Sequence, residues 1–162
     1  MVENSKNLLI KLIFLISIVA LVSAFFIEYK LGHQPCNLCI LERIPYLLAI
    51  ILILLNYKFN HLEKYFLILL TIVFFIATIL SLYHFGIEQG FIQESMVCDL
   101  KSGSNLLSKE DILKQLQEKT VSCKDVTFRI FGLSLTSINI ILSLIIFILL
   151  TKIYKNYEKI KK

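Results

Sequence analysis

The chain has 162 residues, of which 57% are hydrophobic and only 18% are charged. Since about 45–50% of the residues of a soluble domain are apolar, this composition excludes an ordinary soluble domain and indicates an integral membrane protein. The net charge of +5 comes largely from the lysines of the C-terminal tail, while acidic and basic residues nearly balance between Phe85 and Arg129. A polyanionic partner such as nucleic acid is therefore not indicated.

Four apolar segments are long enough to cross a bilayer, which takes about 20 residues per helix. In chain order they are residues 8–27, 38–56, 65–84 and 131–151. We interpret the first as a transmembrane helix, because it exceeds the roughly 7–15 apolar residues of a signal peptide and no A-x-A cleavage site follows it. The prediction is one membrane domain, residues 1–162, folded as an all-α four-transmembrane-helix bundle in contact with the lipid bilayer.

The distribution of lysines predicts the orientation of the bundle. Lysines collect at the N-terminus, in the turn at residues 56–64 and in the C-terminal tail. Because positive loops stay on the cytoplasmic side, both termini are expected in the cytoplasm. The loops at residues 28–39 and 85–128, which carry all four cysteines, are then exterior.

The long exterior loop is predicted to carry a short helix from Ser108 to about Lys119. Ser108 and Asp111 resemble a capping box, and apolar residues line one face of the segment that follows. An amphipathic helix of this kind is expected to lie on the membrane surface, with a plain solvated helix as the alternative.

The four cysteines favour disulfides, because their number is even and they are expected on the oxidising side of the membrane. Three pairings are formally possible, and the C-x-x-C spacing favours Cys36 with Cys39, leaving Cys98 with Cys123. One hypothesis is that both bridges only staple the structure. A bridge between Cys36 and Cys39, however, closes a very small loop and removes little chain entropy, which favours thiol–disulfide exchange.

A metal site is not expected. Zinc commonly takes two closely spaced pairs of ligands, whereas Cys98 and Cys123 are far apart in the chain. His33, His61 and His84 complete no recognised spacing.

The residues around Cys39 support the hypothesis of a redox-active cysteine pair. In a helix that starts near Pro35, Cys39 lies in the first turn, where free N–H groups favour a thiolate. Arg43, four residues later, is expected on the same face one turn deeper, which places a cation beneath the sulfur. The alternatives are an arginine that reaches out to lipid headgroups and an ordinary kink at Pro45.

Three segments, together with the Cys98/Cys123 pair, resemble the DsbB-type disulfide-bond formation proteins. They are PCNLCILERIPY at residues 35–46, YHFGIEQGF at 83–91 and FRIFGLSLTSIN at 128–139. Members of that family are four-helix membrane enzymes that reoxidise the secreted thiol oxidase DsbA with quinone. Many relatives have glutamine where this chain has Glu42, so Glu42 is expected either to offset part of the charge of Arg43 or to reach water.

The resemblance implies a role for each cysteine. A periplasmic DsbA-like thiol oxidase would attack Cys98, the released Cys123 would attack Cys36, and Cys39 would remain as a thiolate that faces the quinone. Arg43 would stabilise that thiolate and the charge on the reduced quinone. The acceptor would be ubiquinone or menaquinone in a bacterial inner membrane, and no metal would take part.

Further polar residues match the family less specifically. His84 and Glu88 fit its H-x-G-x-E pattern and are candidate quinone-binding residues, although two polar residues that reach water at the interface are the slightly favoured interpretation. Arg129 matches the start of the fourth helix, with interface anchoring as an equal alternative. Thr136, Asn139 and Ser143 share one helix face and are predicted to form hydrogen bonds between helices.

Two other functions remain as alternatives. One is a vitamin K epoxide reductase-type enzyme, which is disfavoured because its loop cysteines precede the C-x-x-C pair, whereas here they follow it. The other is a membrane interaction protein with redox-inert disulfides and no quinone.

Overall fold

A computed structural model describes residues 2–94, 98, 122–124, 129–130 and 132–161. Its elements are α1 (Val2–Tyr29), α2 (Asn37–Leu41), α3 (Ile44–Lys58), a 3-10 turn (Asn60–Leu62), α4 (Glu63–Glu88), β1 (Arg129–Ile130), β2 (Leu133–Ser134) and α5 (Leu135–Lys161). Four segments are long and apolar enough to span a membrane, namely Lys6–Tyr29, Asn37–Lys58, Glu63–Glu88 and Leu135–Tyr157. The predicted four-helix membrane bundle is confirmed.

The second span, Asn37–Lys58, is interrupted near the end that carries the cysteines. α2 ends at Leu41 and α3 begins at Ile44. Pro45 lies in the first turn of α3 and has no N–H to donate to the Leu41 carbonyl. Arg43 N instead donates to Ile40 O at 3.1 Å. Glu42 and Arg43 consequently lie in a turn between two helices.

The core of the bundle receives side chains from all four spans. α4 packs against both α3 and α5, and α1 packs against α3. The buried apolar residues are Ile10, Ile13, Tyr46, Ala49, Leu52, Ile53, Leu67, Leu70, Phe74, Ala77, Ile146, Leu150 and Ile153. Large apolar side chains such as Leu15, Ile76 and Ile148 are exposed on the outside, which fits a surface that meets lipid rather than water.

The two ends of the bundle differ in chemistry. At one end, Lys6 Nζ lies 2.6 Å from Glu63 Oε1 and 5.6 Å from the centre of the Tyr157 ring. These contacts join the first turns of α1 and α4 to the last turns of α5. At the opposite end, Cys36 lies beside His84 near the C-terminus of α4. Both termini thus share one end of the bundle, and the cysteines occupy the other.

Two glycines shape the C-terminal end of α4. Gly90 has a positive φ of 77°, which glycine adopts without steric cost. Gly90 N donates to Ile87 O at 3.0 Å and Phe91 N donates to Gly86 O at 2.9 Å, which together form a Schellman cap. The chain turns back so closely that a Cβ on Gly86 would lie 2.7 Å from Ile92 Cδ1. This cap ends α4 shortly after His84.

A short hairpin precedes the last helix and was not expected from the sequence. Arg129 pairs with Ser134 and Ile130 with Leu133, and Ser137 N donates to Ser134 Oγ at 3.2 Å, which caps the start of α5. Arg129 is exposed on β1, so the prediction that it begins the fourth helix is wrong. The predicted helix from Ser108 to Lys119 lies outside the described residues.

Candidate redox site

Cys36 and Cys39 are two adjacent thiols at the start of α2. Their sulfurs are 2.6 Å apart and both cysteines are free. Cys36 is extended and buried, and its Sγ accepts a hydrogen bond from Cys39 N at 3.2 Å. α2 has only five residues. The free N–H groups that were expected to favour a thiolate at Cys39 are therefore represented by this one N–H group, which points at the sulfur of Cys36.

His84 brings a third polar group to the cysteine pair from α4. Its Nε2 lies 3.5 Å from Cys36 Sγ, and its Nδ1 lies 2.9 Å from Glu42 Oε1. Only 3% of His84 is exposed, so the favoured interpretation of an interfacial histidine that reaches water is wrong. Glu88, one turn further along, is half-buried and takes no part in these contacts.

The hydrogen-bond donors around Cys36 favour its thiolate form. The hydrogen bond with the Cys39 side chain and the nearby His84 lower the pKa of Cys36 from its ordinary value, while burial acts in the opposite direction. Cys36 is therefore the sulfur of the pair on which stabilising donors converge.

Glu42 is the centre of a buried hydrogen-bond network that joins several helices. Its Oε2 accepts from Asn139 Nδ2 at 2.9 Å, and the same Asn139 nitrogen donates to Ser81 Oγ at 2.8 Å. Tyr46 donates its hydroxyl proton to Asn139 Oδ1. Glu42 is 9% exposed and faces His84, so the expectation that it offsets Arg43 or reaches water is wrong.

Arg43 contacts two side chains of α1. Its Nη1 lies 2.5 Å from Glu28 Oε2, and its guanidinium lies 5.1 Å from the centre of the Phe25 ring. Arg43 is thus held at the cysteine end of the bundle by a carboxylate and an aromatic ring of α1.

Cys98 and Cys123 form a disulfide with a Cα–Cα distance of 5.9 Å, which is the favoured pairing from the sequence. The two cysteines are buried in one cluster with Cys36, Leu38 and Ile87. Asn37 Nδ2 also donates to Cys98 O at 2.9 Å. The loop disulfide is therefore packed directly on the element that carries the inner pair.

Part of this site was predictable and part was not. All four cysteines and His84 come together, whereas Arg43 has partners on α1. The interhelical role predicted for Asn139 is confirmed, but Ser143 donates within its own helix, to Ile140 O at 3.1 Å. The sequence did not predict the hydrogen bonds of Tyr46 and Ser81 with Asn139, or the ion pair of Glu28 with Arg43. For Ser81, the sequence signal was its position about one turn before His84.

The comparison with protein families agrees with this arrangement. A family model described as "Disulfide bond formation protein DsbB" matches residues 6–153. The chain belongs to the DsbB family. The DsbB family is a family of helical membrane bundles with a role in disulfide-bond formation, so this chain is a multi-pass membrane protein with an expected oxidoreductase role.

A relative in Rickettsia prowazekii (strain Madrid E), named Uncharacterized protein RP370, is 36% identical over 140 residues. The match covers 83% of this chain and 80% of that relative. No solved structure matches the chain. The two proteins are therefore similar over most of the length of each.

The network around Glu42 gives a first prediction. Asn139→Leu removes the partner of Glu42 Oε2, Ser81 and Tyr46 at once. Because each buried polar group left unpaired costs about 1–3 kcal/mol, the free energy of unfolding should fall by at least that amount. Equilibrium unfolding of the purified protein in mixed micelles measures it.

The matched control is Thr151→Val on the same helix, since Thr151 Oγ1 donates within that helix, to the Phe147 carbonyl one turn earlier at 2.8 Å. We expect this variant to stay close to the parent protein. Equal stability of the Asn139→Leu variant and the parent would contradict the network.

Proposed function

We propose that this DsbB-family protein is a protein-disulfide:quinone oxidoreductase that reoxidises a periplasmic DsbA-like thiol oxidase. The observation that carries the proposal is the packing of both cysteine pairs in one buried cluster at one end of the bundle. A disulfide that lies against a C-x-x-C pair is placed for exchange between the two pairs. Such exchange would sustain disulfide-bond formation in secreted proteins.

The exchange proceeds in steps that conserve atoms and electrons. A thiolate of the reduced partner attacks Cys98 Sγ, Cys123 leaves as a thiolate, and the second thiol of the partner closes the partner's own disulfide. Cys123 then attacks Cys36 Sγ of an oxidised inner pair, and Cys39 leaves. Cys98 finally attacks Cys123 to restore the loop disulfide, so that two electrons now reside on the inner dithiol.

Residues next to Cys36 and Cys39 stabilise charge on the sulfurs and can exchange protons with them. The Cys36 sulfur receives a hydrogen bond from Cys39 N, and His84 Nε2 lies 3.5 Å from it. The Glu42 carboxylate accepts a hydrogen bond from His84 Nδ1 on the other side of the ring. His84 Nε2 is thus the atom positioned to give a proton to Cys36 or to take one from it.

The chemistry of the outer end fits a quinone as electron acceptor. A quinone is an apolar molecule, and when bound it would accept two electrons and two protons. Arg43 is the candidate donor to its oxygens, the Phe25 ring offers an apolar face beside Arg43, and Cys39 is less buried than Cys36. Both ring nitrogens of His84 face Cys36 and Glu42, so His84 would act on the acceptor through the cysteine pair. Glu28, which now holds Arg43, would share that cation with the acceptor.

Burial of the loop disulfide is the observation that favours the competing structural role. Cys98 and Cys123 are 7% and 3% exposed, so a protein thiolate can reach Cys98 only when the surrounding chain moves aside. An inert staple would never open in this way. The two functions are separated by whether Cys98 exchanges with a thiol oxidase.

The direct test of the proposed function is quinone reduction by the purified protein. A reduced DsbA-type thiol oxidase and a short-chain quinone are added, and the quinone absorbance is followed. We expect turnover that disappears in the Cys36→Ser variant. Turnover that persists in that variant would overturn the proposed route.

The proposed orientation gives a second prediction. In a background without the native cysteines, Gln89→Cys places a thiol at the exposed outer end of α4, and Lys58→Cys places one at the exposed inner end of α3. If the cysteine end of the bundle is exterior, an impermeant thiol reagent labels Gln89→Cys in intact cells. It labels Lys58→Cys only after lysis, and the reverse pattern would contradict the orientation.

A further inference from the structure

We propose that the reduced inner pair and His84 form a binding site for a thiophilic divalent metal such as Zn²⁺. The ligand atoms of Cys36, Cys39 and His84 all lie within 4.8 Å of one another. Two thiolates and an imidazole are typical zinc ligands, and three protein ligands leave a fourth position for water or an added ligand. This inference goes beyond the proposed function and needs neither a quinone nor a protein partner.

The orientation of His84 supports the site. Its Nε2 faces the Cys36 sulfur at 3.5 Å, while Nδ1 faces the Glu42 carboxylate at 2.9 Å. A histidine that binds a metal almost always donates its other ring N–H to a carboxylate or carbonyl, which fixes the ring and raises the basicity of the ligand. Asn139 holds Glu42 in turn, through the 2.9 Å contact with its second oxygen. The residues that would orient a metal-bound His84, namely Glu42 and Asn139, are therefore already in contact.

Sequence spacing did not reveal this site because its third ligand comes from another helix. Cys36 and Cys39 are close in the chain, but His84 reaches them only through the packing of α4. Two Zn–S bonds of about 2.3 Å in a tetrahedral arrangement hold the sulfurs further apart than the present 2.6 Å. The half-buried Cys39 is the side chain that would turn outward.

Metal binding is expected to depend on the redox state. Protons still carried by the two thiols pass to solvent when the metal binds, and no electron is transferred. In the Cys36–Cys39 disulfide the sulfurs are bonded to each other, so that form offers only His84. A metal on the dithiol withholds both sulfurs from thiol–disulfide exchange.

The test uses Co²⁺ as a spectroscopic probe in a Cys98→Ser/Cys123→Ser background, where only the inner pair can react. We expect the reduced protein to take up one equivalent of Co²⁺, with sulfur-to-cobalt charge-transfer and tetrahedral ligand-field bands that Zn²⁺ abolishes. The oxidised protein should show neither. Equal uptake by the two forms overturns the proposal.

Variants identify the ligands. Glu42→Gln should weaken Co²⁺ affinity about 10–100-fold, as the loss of a carboxylate behind a metal-bound histidine commonly does, and His84→Gln should weaken it at least as much. Glu28→Gln is the matched control, because Glu28 bonds to Arg43 rather than to His84, and it should leave the affinity unchanged. Full affinity in His84→Gln would mean that the dithiol alone binds, which contradicts the site.

X-ray absorption at the zinc edge tests the same point without any change at His84. We expect two sulfur ligands and at least one histidine nitrogen around Zn²⁺ bound to the reduced protein. A zinc environment without a histidine would overturn the proposal. Because these measurements contain no quinone or thiol oxidase, their failure leaves the proposed enzyme activity to be judged by its own assay.

Discussion

Cys123→Ser will capture a DsbA-type thiol oxidase as a stable mixed disulfide and will reduce quinone turnover to the rate measured without enzyme. The variant keeps Cys98 as a free thiol and removes the sulfur that would resolve the mixed disulfide. The partner is supplied with only its attacking cysteine, which carries a thionitrobenzoate group. Attack by Cys98 then releases the coloured thiolate and leaves the two proteins linked, which a non-reducing gel detects.

The control is Cys98→Ser, which keeps Cys123 and has the same number of cysteines. Since Cys98 is the partner-facing sulfur in the proposed exchange, this variant should also lose turnover but should capture far less of the partner. Equal capture by the two variants would mean that the direction of exchange is wrong. Capture by neither would favour a structural staple, the role that the burial of both loop cysteines supports.

Arg43→Lys is expected to weaken quinone use while leaving the exchange at Cys98 intact. Lysine keeps the charge but lacks the planar, multi-donor head of arginine, so the two are not equivalent where the donor geometry matters. Loss of one charge-assisted hydrogen bond costs on the order of 1.5–3 kcal/mol. The quinone step should therefore slow roughly tenfold to a hundredfold, mainly through a higher KM, and steady-state rates over a series of quinone concentrations measure it.

The contact between Arg43 and Glu28 supplies the control for this experiment. Glu28→Gln removes the carboxylate partner of Arg43 at 2.5 Å but keeps the guanidinium. If Arg43 binds quinone, the variant should retain a quinone KM near that of the parent or below it. If Arg43 only ties α3 to α1, both variants should lose stability together and neither should change KM, and that result would reduce Arg43 to an anchor.

Several features were predictable because they depend on composition or on residues close together in the chain. Four long apolar segments are expected to form four transmembrane helices in a bilayer, because a helix satisfies its own backbone hydrogen bonds. The pairing of Cys98 with Cys123 follows once the C-x-x-C pair is assigned. The glycines and proline of the three segments that resemble the family mark local turns, although the position of the break before Pro45 became clear only in the structure.

The partners of the polar side chains were decided by the tertiary structure alone. Glu42 adjoins Arg43 in the chain, yet it bonds to His84 and Asn139, and Arg43 bonds to Glu28. The physical reason is that a buried polar group must find a partner in the protein, and which partners are within reach depends on how the helices pack. The sequence by itself determined the class of protein and the pairing of Cys98 with Cys123. Packing determined which groups surround the Cys36 sulfur.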